Sequence, residues 1–77
     1  MEHNYSLLDV QPGERARVRA LTADGSIRRR LLDIGLIAHT TVECLGRSPG
    51  GDPSAYLIRG AVIALRAQDC KHILIER

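Results

Sequence analysis

The stretch "SIRRRLLDIGL", residues 26 to 36, decides how this chain is read. Ile27, Leu31 and Ile34 stand at i, i+4 and i+7, which lays one apolar stripe along a helix of about two turns. Ser26 or Asp24 is placed to cap its start. Gly35 falls where a left-handed residue ends a helix, and Leu31 and Leu36 have the spacing of the apolar pair that accompanies a Schellman ending. Arg28, Arg29 and Arg30 lie off the stripe, and Leu32 lies beside them. An apolar residue bordering a charged face fits a docking surface, although a helix with a plain solvated side has arginines there too.

Upstream, "RARVRAL" (15–21) alternates, with Ala16, Val18 and Ala20 on one side and Arg15, Arg17 and Arg19 on the other. That is the period of a half-buried strand with its arginines outward. Before it, "SLLDVQPGE" (6–14) reads as a short apolar turn followed by a Pro12-Gly13 turn. Downstream, "TTVECLG" (40–46) is strand-like, with β-branched residues at its start. "RSPGGDP" (47–53) is dense in breakers and predicts an exposed loop. "SAYLIR" and "AVIALR" follow as two strands with Gly60 at the turn or bulge between them. "AQDC" suits one helical turn, and "HILIE" a last strand with Ile73 and Ile75 on one face.

These signals predict a mainly β fold: a small closed barrel of about five strands with one short helix. The helix is expected outside the barrel, its Ile27/Leu31/Ile34 stripe covering one opening. Closure would remove the exposed edges that invite aggregation. No repeat, low-complexity tract or linker divides the chain, so residues 1–77 are expected to form a single domain.

The 77 residues are 44% apolar, with no Phe or Trp and only Tyr5 and Tyr56 as aromatics, so the core must be aliphatic. So small a chain has little room for an enclosing substrate cleft. No catalytic motif is present either, and "SPGGDP" lacks the lysine and following helix of a phosphate loop. No catalytic residue is therefore assigned, and a binding or accessory module is expected over an enzyme. Cys44 and Cys70 form neither a disulfide framework nor a CxxC site, and Cys44 reads as a small core residue. His3, His39, His72, Cys44 and Cys70 could supply metal ligands, with Asp52 or Asp69 as oxygen donors, but no two of the His and Cys residues show a recognised ligand spacing. No metal ligand can be named, no cofactor is required, and weak divalent metal binding at a loose surface site is the remaining option. The longest apolar run, "AVIAL" (61–65), falls far short of the roughly 20 residues a membrane span needs. With no charged-then-apolar leader, the expectation is a soluble cytoplasmic protein.

Net charge is only +2, but six of the eleven basic residues fall within positions 15–30. Side by side, the two segments would make a basic face with three readings. It can be solvated strand and helix surface. It can be a nucleic-acid surface supplying phosphate contacts, although single-strand binding usually adds stacking aromatics that this chain lacks. It can be a protein-docking face. A proline-rich peptide is disfavoured, because grooves for such peptides are aromatic-lined.

Three motifs, "RRRLLDIGL", "GGDP" and "IALRAQDCKHILIE", come in the order and at the spacing of the FeoA family, small proteins of bacterial ferrous iron uptake, which the chain resembles over nearly its whole length. The resemblance implies an SH3-like β-barrel with one short helix after the first strand. It also implies a non-catalytic, cytoplasmic accessory to FeoB, the ferrous iron transporter with a GTPase domain on its cytoplasmic side. Similar barrels end some iron- and manganese-responsive repressors, behind a DNA-binding helix-turn-helix for which this chain has no room. Arg30, Leu31, Leu32, Gly35 and Leu36 match the helix signature. Gly51, Asp52 and Pro53 match the loop, and Ile63, Leu65 and Arg66 match the strand that follows. Leu31, Gly35, Leu36, Gly60, Leu65 and Arg66 are expected to be structural. The partner-facing set is expected to be Arg28, Arg29, Arg30, Leu32, Asp52 and Pro53. The alternatives are a small basic barrel binding nucleic acid and a weak transition-metal-binding or sensing module. Family members usually carry Pro-Gly where this chain has Ala38-His39, so the turn is expected to differ. Cys70 replaces a small or aliphatic residue, which predicts a buried, inert thiol.

Overall fold

The computed structural model describes residues 5–76. His3, one of the possible metal ligands, lies outside the described residues. Along the chain run β1 (Tyr5–Ser6), a 3-10 turn (Leu7–Asp9), β2 (Arg15–Leu21), α1 (Gly25–Asp33) and β3 (Thr41–Arg47). They are followed by β4 (Ser54–Ile58), β5 (Ala61–Leu65), α2 (Ala67–Cys70) and β6 (Ile73–Glu76). The six strands form one antiparallel sheet in the order β1-β6-β2-β3-β4-β5.

This corrects the expected barrel in three respects. The sheet does not close: β1 and β5 are its two edges and do not pair with each other. The helix follows the second strand rather than the first, because Tyr5 and Ser6 pair with Ile75 and Leu74 before the chain turns away. Two residues carry no periodicity, so β1 could not be seen in the sequence. It ends where it does because the Ser6 side chain accepts a hydrogen bond from Leu8 N–H while Asp9 accepts one from Ser6 N–H, a reciprocal capping box. Finally, the sheet has six strands where about five were expected, β1 being the extra one, and α2 is the single helical turn expected for "AQDC".

The core is aliphatic apart from Tyr56, the largest of its fully buried side chains. Leu7, Val10, Val18, Leu31, Leu36, Val42, Cys44, Tyr56, Ile58 and Ile73 are almost wholly buried. In β2, Ala16 and Val18 face inward as the alternation predicts, but a bulge between Val18 and Ala20 resets the register against β6. Past it Ala20 is exposed and Leu21 packs against the core, since one extra residue swaps the two faces of a strand.

The stripe on α1 is only partly a core face. Leu31 is fully buried and Ile34 half-buried, whereas Ile27 in the first turn is 41% exposed. The helix thus covers the sheet with its C-terminal half alone. Asp24 stands at the N-cap without a side-chain hydrogen bond, and Ser26 lies inside the helix. The C-terminal end is the expected Schellman motif. Leu36 N–H donates to Leu31 O at 3.1 Å, Gly35 N–H donates to Leu32 O at 3.0 Å, and Gly35 has φ +99°.

Two further turns hold a side-chain-bearing residue at positive φ. Arg59 (φ 50°) and Gly60 (φ 85°) join β4 to β5 as the two-residue turn whose twist suits a hairpin. Ile37 to Thr40 form a turn closed by Thr40 N–H to Ile37 O at 3.1 Å, with His39 at φ 74°. That is the third position of a type II turn, where glycine is the favoured residue. His39 therefore takes up a glycine's geometry despite its side chain. It is held there by its N–H, which donates to Val18 O at 2.7 Å.

Candidate protein-docking face

The residues expected to face a partner divide among three places. Arg28, Arg29 and Leu32 stay together on the outer side of α1, where with Gly25 and Asp33 they line one shallow depression. Leu32 is 37% exposed, a real apolar gap in the basic face. Beyond it lies a groove of about 290 Å³ between α1, the bulged end of β2 and the turn after the helix. Leu32, Ile37 and Leu21 give its apolar lining, and Arg19 and Arg28 stand on it as cations. Arg28 reaches back toward Leu21 O at 3.5 Å, at the limit of a hydrogen bond. Ile37 is 47% exposed and was not singled out from the sequence. The signal lay in its place: an apolar residue directly after a Schellman leucine must sit beside the helix end.

Arg30 is turned elsewhere. Its Nη2 meets Asp69 Oδ2 at 2.6 Å, tying α1 to α2. The Asp69 side chain is 10% exposed and that of Arg30 60%, so the pair is anchored at its acidic end. Asp69 also lies in the first turn of α2, where a carboxylate suits the helix dipole.

Asp52, although exposed, is likewise engaged within the chain. Its Oδ1 accepts a hydrogen bond from Ala67 N–H at 2.9 Å, satisfying a free donor at the start of α2. Pro53 follows a cis peptide bond and presents its carbonyl to Ser48 N–H at 3.1 Å. It lies with Leu45 and Ala55 on a different groove from the α1 face. Of the residues expected to be structural, Leu31, Leu36 and Leu65 are buried, Gly35 and Gly60 have positive φ, and Arg66 stands at the N-cap position of α2 without a side-chain hydrogen bond to it.

The basic face is smaller than the sequence implies. Arg15 pairs with Glu43 at 3.8 Å across β2 and β3, and Arg17 with Glu76 at 3.4 Å across β2 and β6. With Arg30 held by Asp69, at least three of the six clustered arginines are matched by acids from neighbouring elements. A polyanion surface would need those charges free.

Among the described residues no three His, Cys, Asp or Glu side chains gather as a metal site. His72 stands beside Thr22, Nδ1 to Oγ1 at 3.1 Å. The cysteines are core residues. The Cys70 thiol donates to Tyr56 Oη at 3.6 Å, and burial raises the pKa of both groups. No helix of the described residues is long and apolar enough to cross a membrane.

A family model described as "FeoA domain" matches residues 5–77. The chain belongs to the FeoA family. Among solved structures, a FeoA-like protein from Clostridium acetobutylicum is 30% identical with a TM-score of 0.88, covering 99% of this chain and 88% of that one. The FeoA protein of Chlorobium tepidum is 29% identical with a TM-score of 0.87, covering 94% and 69%. A zinc complex of Stenotrophomonas maltophilia FeoA, described as a prokaryotic SH3 domain protein, is 24% identical with a TM-score of 0.84, covering 94% and 89%. Among curated proteins none matches. The fold is thus the SH3-like fold of that family, in an open six-stranded form.

Proposed function

We propose that this FeoA-family chain is a cytoplasmic, non-catalytic accessory of ferrous iron uptake that binds the cytoplasmic side of the FeoB transporter through α1. The observation that carries this reading is the groove where Leu32 and Ile37 stand exposed between Arg19 and Arg28. Apolar side chains rimmed by arginine are what a protein interface uses, whereas a phosphate surface needs cations without the apolar centre. The Stenotrophomonas relative, described as possibly acting as a bacterial ferrous iron transport activating factor, supports the ferrous iron transport part of this reading. Iron enters this reading as the transporter's cargo. The described residues do not fit a resident metal, so the zinc of that relative carries over at most as weak surface binding.

The test is binding of the whole chain to detergent-solubilised FeoB from the same organism, at two salt concentrations, with and without a GTP analogue. A Leu32→Ala/Ile37→Ser variant should lose about tenfold or more in affinity while remaining folded, as exposed residues permit. Unchanged binding by that variant would remove α1 from the interface. No binding to an active transporter would overturn the partner.

A further inference from the structure

We propose that the outer edge of β5 is a second binding site, which takes up an extended peptide strand carrying a carboxylate near each end. The inference rests on β5 alone and stands apart from the transporter reading of α1. In the β4–β5 hairpin, Ala61, Ile63 and Leu65 stand opposite Ile58, Tyr56 and Ser54. The pair flanking a two-residue turn exchanges hydrogen bonds, and the ladder bonds then recur at every second residue. Val62 and Ala64 therefore direct their N–H and C=O groups away from β4. No strand pairs with β5 on that side among the described residues.

Nothing in "AVIAL" protects this edge. It has no charge, no proline and no bulge, the usual devices against strand addition. Val62 is 66% exposed. Beside the edge runs a groove of about 390 Å³, with Ile34 of α1 facing Ile63, Leu65 and Arg66. A strand added to β5 would lay alternate side chains into it, the arrangement by which sheet edges select peptides.

Charge chooses the occupant. Arg59 and Arg66 stand exposed at the two ends of β5, and neither has an ion-pair partner among the described residues. A second copy pairing β5 to β5 across a two-fold axis would run antiparallel and set Arg59 of one copy near Arg66 of the other at each end of the new ladder. Like charges there oppose that assembly. An acidic-ended strand places carboxylates where the arginines are.

The test uses the whole chain labelled with nitrogen-15 and an eight-residue peptide of alternating threonine and valine with glutamate at both ends. Expected are saturable shifts of the Val62 and Ala64 amides, with about tenfold weaker binding when lysine replaces the glutamates. Ala64→Pro removes an outward N–H without touching the ladder to β4 and should abolish binding. Arg66→Ala, which leaves the backbone intact, should weaken it severalfold. No shifts at β5 up to millimolar peptide would overturn the proposal. So would equal affinity for both peptides, or self-association through β5 in their place.

Discussion

The aliphatic part of Arg59 lies across Gly35, so close that a Cβ on the glycine would stand 2.5 Å from Arg59 Cδ. The hairpin turn after β4 thereby covers the C-terminal end of α1 and brings a cation to the end of the helix that favours one. Gly35 answers to two constraints: a φ of +99° and a neighbour that leaves no room for a side chain.

Gly35→Ala should cost about 1–2 kcal/mol for the left-handed backbone alone. The steric part falls on a flexible side chain and should add less. Pairing it with Arg59→Ala in a double-mutant cycle separates the two, because truncating Arg59 relieves the contact and leaves the backbone penalty. Urea denaturation of the four proteins gives the answer. Full rescue by Arg59→Ala would show that φ is not the cost.

His39→Gly should stabilise the protein. The left-handed conformation costs a side-chain-bearing residue about 1–2 kcal/mol, while a glycine's extra freedom in the unfolded chain returns about 0.4–1 kcal/mol of that. The balance, about 0.5–1 kcal/mol, corresponds to a rise in Tm of about 2–8 °C for a domain of this size. Calorimetry would detect it, and a lower Tm would mean that the histidine ring earns its place through contacts.

The two partners of the Arg30–Asp69 pair should be unequal. Arg30→Ala strands a carboxylate that is only 10% exposed and should cost about 1–3 kcal/mol. Asp69→Ala leaves an arginine that water can still reach, and should cost about 1 kcal/mol or less. Comparing denaturant midpoints at constant m checks the order. Equal losses would place the pair at the surface.

Removing the Asp52 carboxylate should loosen α2 rather than a partner contact. Asp52→Ala is expected to cost about 1 kcal/mol, the usual worth of a capping acceptor, and Asp52→Asn to recover most of it. Hydrogen exchange at the Ala67 amide should rise in the first variant and not in the second.

Alkali should destabilise the fold through Cys70 and Tyr56. Burial raises both pKa values, so the folded state favours the protonated thiol and phenol. That contribution is intact below the unfolded thiol's pKa of about 8.5 and is lost progressively above it. Thermal melts from pH 7 to 10 should show falling Tm, and iodoacetamide should spare both cysteines until the protein is denatured. Rapid native-state alkylation would contradict the buried placement.

Much of this fold was legible. The Schellman ending could be read from Leu31, Gly35 and Leu36 because its geometry is local and its residue demands are narrow. The same holds for the Gly60 turn, the "AQDC" helical turn and the aliphatic core. What escaped was long-range. Whether a sheet closes depends on where its first and last strands meet, and a two-residue β1 leaves no periodic trace. The bulge that exposes Ala20 changes no residue type, so perfect alternation in "RARVRAL" was misleading. At the candidate site, Leu32 beside the arginines was readable from helical spacing. The partners that neutralise Arg15, Arg17 and Arg30 were not, since Glu43, Glu76 and Asp69 lie on elements far along the chain. Asp52 and Arg30 looked like surface signals because an acid in a loop and a base on a helix usually are.

Both of them end on α2. Asp52 arrives from the loop before β4, Arg30 from α1, and the four residues Ala67–Cys70 receive the two. The segments "RRRLLDIGL", "GGDP" and "IALRAQDC" therefore share one junction despite lying far apart along the chain. A chimera that imports one of them from a relative inherits a mismatch unless the other two travel with it. Homologue grafting in this family should succeed by exchanging the three as a set and fail when they are exchanged singly.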